Sequence, residues 1–485
     1  SDLTNKFAKS PRKNNKRRLT PPLPPPPLRP VKSTKNKNLY PLPPLPLKIK
    51  ELDGIREREN RGDRSFFQPS ISSLELVKSS QIESDRFGFL VELVLTDISN
   101  DLDKEEDNSE NVLPLEILKS LQKQLANSDA EIQEIAAGFE KLGNIYRDRV
   151  SAGNVTESNL AIAIHSYELL LEVIIPQPQK NEKNKADSLA IAPLLNYQNS
   201  WGNWQFQIGD IFNDLGTLYW MLFRQPVAKT EDKKETLFYL ERAIALYQIA
   251  ASKIDQKTQA ETYIRVQKNL GMALGDLARH REPADNLRRS VVAYQEAVLH
   301  CNPQVNPQQY AATLNNLGAA CWNLAQYGQP EAHLVGAISA YSEALRYSKP
   351  EEEPLNYGML QNNLATAYWN LSQIKGEVEL LLKAIEAYKE ALKYRSSNRV
   401  PAACAATNNN LGTAYWHLAT ARETDEKINL LQEAIAAYTR AVKLAQELSA
   451  NQLTFDILAT HNNLGLAHYQ LATNKIASQL EEARS

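Results

Sequence analysis

The sequence is poor in cysteine. It has three, Cys301, Cys321 and Cys404, in 485 residues, and none of them belongs to a CxxC pair. A domain stabilised by disulfides needs more cysteines than this, and they must lie closer together. The same holds for a zinc site built on paired cysteines. We therefore expect a reducing compartment, cytoplasmic or alternatively nuclear, and no metal.

Long apolar runs and catalytic signatures are also absent. Mostly apolar stretches such as residues 169–175, which Glu172 interrupts, fall well short of the roughly 18 residues of a membrane span, so no transmembrane segment is predicted. The seven histidines form no HExxH motif, and neither GxxxxGKS/T nor GxSxG occurs. Because no group of residues converges on a reaction, we expect no enzymatic activity and no cofactor.

The net charge of −2 hides an uneven distribution. Residues 1–50 carry 13 Lys or Arg against one Asp, which leaves 42 basic and 56 acidic residues for the rest of the chain. The same segment holds 12 of the 25 prolines. Proline fixes its own φ and lacks an amide donor, so residues 1–60 are predicted to be a disordered, basic, proline-rich arm.

This arm suggests several partners. Segments 24–29 and 43–48 fit the PxxPxR/K pattern of ligands for proline-recognition domains, but a stiff basic spacer is the favoured explanation, since composition alone generates such matches easily. The basic run at residues 12–18 could contact an acidic surface, including that of the rest of the chain. It could also contact nucleic acid, but no aromatic residue interrupts the run to stack on bases, which makes that partner the less favoured one.

Residues 61–110 are predicted to be a polar and acidic linker. They contain one apolar segment, FGFLVELVL at residues 87–95. This segment either docks on the first helical pair or lies in a ligand groove and blocks it.

From about residue 111 the chain repeats itself. The phrase NNLGTAYWHLA begins at Asn409, and similar phrases begin at Asn315, Asn362 and Asn462. A second phrase, such as AIAAYTRA at residues 434–441, follows each of the first three. Successive glycine-column positions, Gly271, Gly318, Ala365 and Gly412, are 47 residues apart. Apolar residues spaced three and four apart give one buried stripe per helix, so neighbouring helix pairs must stack to cover it.

These phrases resemble the tetratricopeptide repeat family. The family's order of Leu-Gly, an aromatic residue, and then Ala, an aromatic residue and Ala in a second helix is met by Leu411, Gly412, Tyr415, Ala434, Tyr438 and Ala441. The resemblance implies an all-α fold, a right-handed α-α superhelical solenoid, over residues 111–485. We expect about seven helix pairs, the first two irregular and the last truncated. The family unit is about 34 residues long, so the 13 extra residues predict helices about one turn longer.

The resemblance also implies a concave groove lined by the first helix of each pair. Positions i, i+4, i+7 and i+8 share one helical face. The residues at these positions that we predict to bind a peptide are Asn315, Trp322, Asn323, Asn362, Thr366, Trp369, Asn370, Asn409, Thr413, Trp416, His417, Asn462 and Tyr469.

Carboxamides can donate to and accept from a ligand's main chain, and the aromatic column offers apolar pockets. The columns carry no Lys or Arg apart from Lys268, so recognition of an acidic chain end is not expected. For the tryptophans, packing between helix pairs remains an equal alternative. The second asparagines, at 316, 363, 410 and 463, are predicted to form hydrogen bonds between repeats instead.

The sequence thus predicts a non-catalytic adaptor or scaffold that binds a partner's peptide or helix. Two alternatives remain open: a regulatory protein that contacts nucleic acid through the basic arm, and the interaction region of a longer enzyme that continues past Ser485.

Overall fold

The computed structural model describes residues 82–102, 109–126, 131–174, 207–225 and 233–482. The proline-rich arm and most of the predicted linker lie outside these residues. The described residues form fifteen α-helices and no strand, so the prediction of an all-α helical-repeat fold is confirmed. In chain order the helices are α1 (Ile82–Leu102), α2 (Ser109–Leu125), α3 (Ile132–Ser151), α4 (Glu157–Ile174), α5 (Ile208–Arg224), α6 (Lys233–Lys253), α7 (Ala260–Ala278), α8 (Pro283–His300), α9 (Pro307–Leu324), α10 (Pro330–Tyr347), α11 (Pro354–Lys375), α12 (Val378–Tyr394), α13 (Pro401–Thr420), α14 (Thr424–Gln446) and α15 (Ile457–Glu482).

Proline marks the start of five of these helices, α8 to α11 and α13. The first position of a helix suits proline because its ring presets φ and the amide it lacks would have no partner there. At the start of α9 the Asn306 side chain also accepts a hydrogen bond from the backbone N of Gln309 at 3.0 Å. The sequence therefore fixes where these helices begin.

The described residues divide into two compact units, 82–347 and 348–482. In the first unit α3 packs with α4, α5 with α6, α7 with α8 and α9 with α10. In the second, α11 packs with α12 and α13 with α14, while α15 packs on α14. Within each unit the second helix of a pair also contacts the first helix of the next, which is how stacked repeats cover each other's apolar stripes.

The apolar segment at residues 87–95 lies in α1, which packs against α4 and α2. Leu90 and Val94 are fully buried, and the ring of Phe87 meets that of Phe139 edge to face at 5.9 Å. An ion pair between Arg149 and Asp97, 3.4 Å long, holds the far end of the helix. Of the two arrangements that the sequence leaves open, the described contacts are those of a segment docked on the first helix pair.

A tyrosine from each second helix lies against the glycine column of its first helix. At Gly412 an added Cβ would stand 2.8 Å from a ring carbon of Tyr438, and at Gly318 it would stand 2.6 Å from a ring carbon of Tyr341. Both tyrosines are buried. At Gly318 and Gly412 the ring therefore occupies the space that a side chain would take. Gly465 on α15 is the exception, with nothing within 4 Å.

Alanine substitutions in this column are therefore expected to have opposite effects on stability. Gly412→Ala must displace the Tyr438 ring, and overpacking of this kind costs about 1 to 3 kcal/mol, partly offset by the better helix propensity of alanine. Gly465→Ala meets no neighbour and should stabilise by up to about 1 kcal/mol. Urea denaturation of the two variants beside the unmodified chain measures both. A Gly412→Ala protein as stable as the Gly465→Ala protein would contradict the close packing of the Tyr438 ring against Gly412.

Candidate functional site

The first asparagines of the repeats lie between neighbouring first helices. The Asn362 Oδ1 accepts a hydrogen bond from the Thr407 hydroxyl at 3.0 Å, and the Asn409 Oδ1 accepts one from the Thr460 hydroxyl at 2.8 Å. Their amide groups point to the next residue in the chain, Asn363 or Asn410, at 3.4 and 3.5 Å. These asparagines, which we predicted to face a ligand, thus link successive repeats through their carbonyl oxygens.

Asn269, which was not among the predicted second asparagines, forms a hydrogen bond between repeats in the unit of residues 82–347. There the Asn269 amide donates to the Asn213 Oδ1 at 2.9 Å. The threonines that hold Asn362 and Asn409 were not anticipated from the sequence. The sequence does contain a recurring pattern for these threonines. A threonine stands two residues before the first asparagine at Thr313, Thr407 and Thr460.

The threonines of the predicted groove are engaged within their own helix pair. The Thr366 hydroxyl lies 2.9 Å from that of Tyr388, and the Thr413 hydroxyl accepts from that of Tyr438 at 3.0 Å. Each threonine also donates to the backbone carbonyl four residues earlier. Burial raises the pKa of Tyr438 to about 12, so this hydroxyl stays protonated and remains a donor. Both threonines therefore serve the interior of the pair.

The aromatic column forms contacts between repeats but stays partly accessible. The His417 ring lies edge to face with Trp369 at 5.6 Å and with Trp416 at 5.1 Å. The Trp416 indole NH donates to the Gln470 Oε1 at 2.9 Å. Both indoles are half-buried, whereas His417 is buried, and burial lowers its pKa to about 4. His417 is therefore neutral at pH 7.

The same contact recurs in the unit of residues 82–347. There the Trp220 indole NH donates to a carboxylate oxygen of Asp276 at 2.9 Å. Trp220 and Asp276 occupy the i+7 and i+8 positions of successive first helices, as Trp416 and Gln470 do. An inter-repeat hydrogen bond from a tryptophan at this position is thus found in each of the two units.

Several predicted residues keep free surface. Asn462 is exposed and Tyr469 is 69% exposed, since α15 has no further helix of the described chain on that side. The side-chain amide nitrogen of Asn370 donates to the Thr366 backbone carbonyl at 2.8 Å. Among the described residues nothing donates to the side-chain Oδ1 of Asn370. On α9, Asn323 is exposed and makes the same hydrogen bond to the Ala319 carbonyl at 3.0 Å, while Asn315 and Trp322 are half-buried.

In the second unit, the four columns of α11, α13 and α15 form a surface that we call the neutral strip. Its aromatic members, Trp369, Trp416 and Tyr469, occupy the same position of α11, α13 and α15, and no Lys, Arg, Asp or Glu occurs in the four columns there. Such a surface can offer apolar contact and carboxamide hydrogen bonds. It offers no group with which to move a proton or hold a charged ligand.

Neither a metal centre nor a membrane span is found in the described part of the chain. No group of three or more His, Cys, Asp or Glu side chains there is placed to hold a metal ion. Likewise, no helix within the described ranges combines the length and apolarity needed to cross a bilayer.

Together the pairing and the columns define an all-α helical-repeat protein. No family model and no curated protein matches the chain. Among solved structures, BtubC (BKLC) from P. vanneervenii is similar with 21% identity over 50% of this chain and 92% of its own, at a TM-score of 0.35. A signal transduction ATPase with numerous domains from Pyrococcus horikoshii, which has a tetratricopeptide repeat sensor, matches with 14% identity over 81% of this chain and 54% of its own, at a TM-score of 0.35.

A third similar structure is a Rap protein complexed with competence and sporulation factor. It shows 13% identity over 83% of this chain and 99% of its own, at a TM-score of 0.29. All three TM-scores lie below 0.5, so the fold assignment rests on the helix pairing described above.

Proposed function

We propose that this chain is a tetratricopeptide-like, non-catalytic adaptor that binds a peptide or helix of a partner protein. The observation that carries the proposal is the neutral strip, in which three partly exposed aromatic residues repeat at one helical position with carboxamides beside them. Aromatic side chains of this kind are enriched among the residues that dominate binding energy at protein interfaces.

The chemistry of the strip favours main chain and apolar side chains as ligands. The exposed carboxamide of Asn462 can both donate to and accept from a peptide group, and the carbonyl oxygen of Asn370 can accept from a peptide NH. The neutral His417 adds no charge. Phosphate-rich ligands draw their affinity from Lys and Arg, which these columns of the second unit lack. The strip therefore suits an uncharged segment of polypeptide.

Peptide selection followed by substitution tests this function. Peptides selected from a random display library on the full chain should lose roughly 10-fold or more in affinity when Tyr469 is replaced by alanine, since a hot-spot aromatic contributes at least about 1 to 2 kcal/mol. Tyr469 is largely exposed, so its removal should leave the fold intact. Fluorescence anisotropy measures the affinities.

The matched control is Tyr327→Ala, which removes an aromatic residue that is 49% exposed and lies outside the strip. Its affinity should equal that of the unmodified chain. Failure to select any peptide, or equal affinities for the Tyr469→Ala and Tyr327→Ala proteins, would argue against the strip as the binding surface.

A further inference from the structure

A depression of about 400 Å³ opens on another side of α13, between α12 and α14. Its floor includes Leu411 and Tyr415, which share a face of α13 with Cys404 and Asn408. Asn409, Thr413 and Trp416, which belong to the columns of the neutral strip, lie about 110° to 170° away around the same helix. The depression is therefore a separate surface within the unit of residues 348–482.

The walls of the depression are basic. Lys389 stands on α12 and Arg440 on α14, and Glu433 is the one carboxylate among the lining residues. Within the described chain neither cation takes part in an ion pair. The Lys389 ammonium lies 5.4 Å from the centre of the Tyr415 ring, and the Arg440 Nε donates to the Asn408 Oδ1 at 3.1 Å. Two cations and one carboxylate thus line the depression, which leaves it with an excess of one positive charge.

A third cation adjoins the same place. Arg395 immediately precedes the lining residues Ser396 and Ser397, and its Nη1 is buried without a hydrogen-bond partner among the described residues. Its positive charge acts on the thiol of Cys404, which lines the depression. A buried donor atom of a cation without a partner is costly, and a nearby anion would offset that cost.

This local excess of positive charge runs against the rest of the chain. Beyond residue 50 acidic residues outnumber basic ones, 56 to 42. A depression with an excess of positive charge on a body of net negative charge concentrates anions locally. The apolar floor, formed by Leu392, Leu411 and Tyr415, provides room for an uncharged group attached to the anion.

We infer that this depression is a second binding site, which takes an acidic peptide segment. One bulky apolar side chain of the segment lies on the floor, and carboxylates on either side of it pair with Lys389 and Arg440. This site goes beyond the proposed function, since it is separate from the neutral strip and selects the opposite kind of ligand.

A labelled peptide with acidic residues on both sides of one leucine tests the inference, measured by fluorescence anisotropy on the full chain. Its amide counterpart, with every carboxylate replaced by a carboxamide, should bind at least about 10-fold more weakly. Lys389→Gln and Arg440→Gln should each weaken binding of the acidic peptide several-fold. Lys389 makes no hydrogen bond within the described chain, so that variant carries the test even if loss of the Arg440 hydrogen bond to Asn408 disturbs the fold.

Lys383→Gln and Lys443→Gln are the matched controls. They remove the same charge from exposed positions of α12 and α14 that do not line the depression, and the acidic peptide should bind them as it binds the unmodified chain. Equal binding of the acidic and amide peptides, or equal losses in the control and test variants, would overturn the site. Tyr469→Ala should leave this binding unchanged, so failure here and failure of the neutral strip are separate results.

Discussion

Replacing Glu168 with alanine is expected to destabilise the unit of residues 82–347 by about 3 to 5 kcal/mol. Glu168 lies on α4 and is 4% exposed, and it accepts hydrogen bonds from the Tyr219 hydroxyl and from the Arg242 Nη2, the latter at 3.2 Å. The Arg242 side chain is 12% exposed, and its guanidinium lies 5.1 Å from the centre of the Tyr219 ring. Removing the carboxylate would leave that buried charge without its counter-ion, which is the costly way to break a buried ion pair.

The expected loss is measured as the shift in the urea midpoint of far-UV circular dichroism. Two controls identify its cause. Replacing Glu168 and Arg242 together with leucine should recover most of the lost stability, since no unpaired charge remains. Asp285→Ala breaks the exposed ion pair with Arg288 and should cost no more than about 1 kcal/mol. A Glu168→Ala protein as stable as the Asp285→Ala protein would show that the buried network contributes little.

Acidification from pH 7 to pH 4 is expected to destabilise the unit of residues 348–482 by roughly 3 kcal/mol through His417 alone. Burial lowers the pKa of His417 from 6.5 to about 4, and its Nε2 has no hydrogen-bond partner among the described residues. Between these pH values the unfolded chain binds a proton that the folded chain does not, so protonation favours unfolding. The contribution is fully present above pH 6.5, is lost as the pH falls through 4, and changes little further about one pH unit below that.

His417→Met tests this pH dependence. Methionine is the residue at the equivalent position of α5, Met221, and it removes the titrating group while keeping an apolar side chain between the two indoles. The stability difference between pH 7 and pH 4 should become smaller by roughly 3 kcal/mol in this variant. His461→Gln, at an exposed histidine, should retain the full difference. Identical pH profiles for the unmodified chain and His417→Met would contradict the buried, neutral state of His417.

The register of the repeats was predictable because it depends on residue spacing within single helices. Leu411, Gly412 and Tyr415 define one face of a helix by their spacing alone, and their recurrence after 47 residues requires equivalent helices to stack. The absence of charge from the columns of α11, α13 and α15 could also be read directly.

The sequence did not predict which column residues form hydrogen bonds between repeats and which stay exposed. The carbonyl oxygens of Asn362 and Asn409 are used by threonines 45 and 51 residues away, and the indole of Trp416 by a glutamine 54 residues away. Such pairs depend on the rotation and offset between stacked helices, and helical spacing within one segment carries no information about either. Tyr469, in contrast, stays exposed because α15 carries no covering helix among the described residues.

The sequence by itself thus determined the class of fold, the faces that are buried and the residue types presented at each position. Only the tertiary structure decided which of those side chains form contacts with neighbouring repeats and which remain exposed. It also decided that Lys389 and Arg440, from two separate helices, line one depression with an apolar floor. The physical reason is that burial follows from short-range periodicity, whereas the partner of a polar group follows from how separate helices are placed against each other.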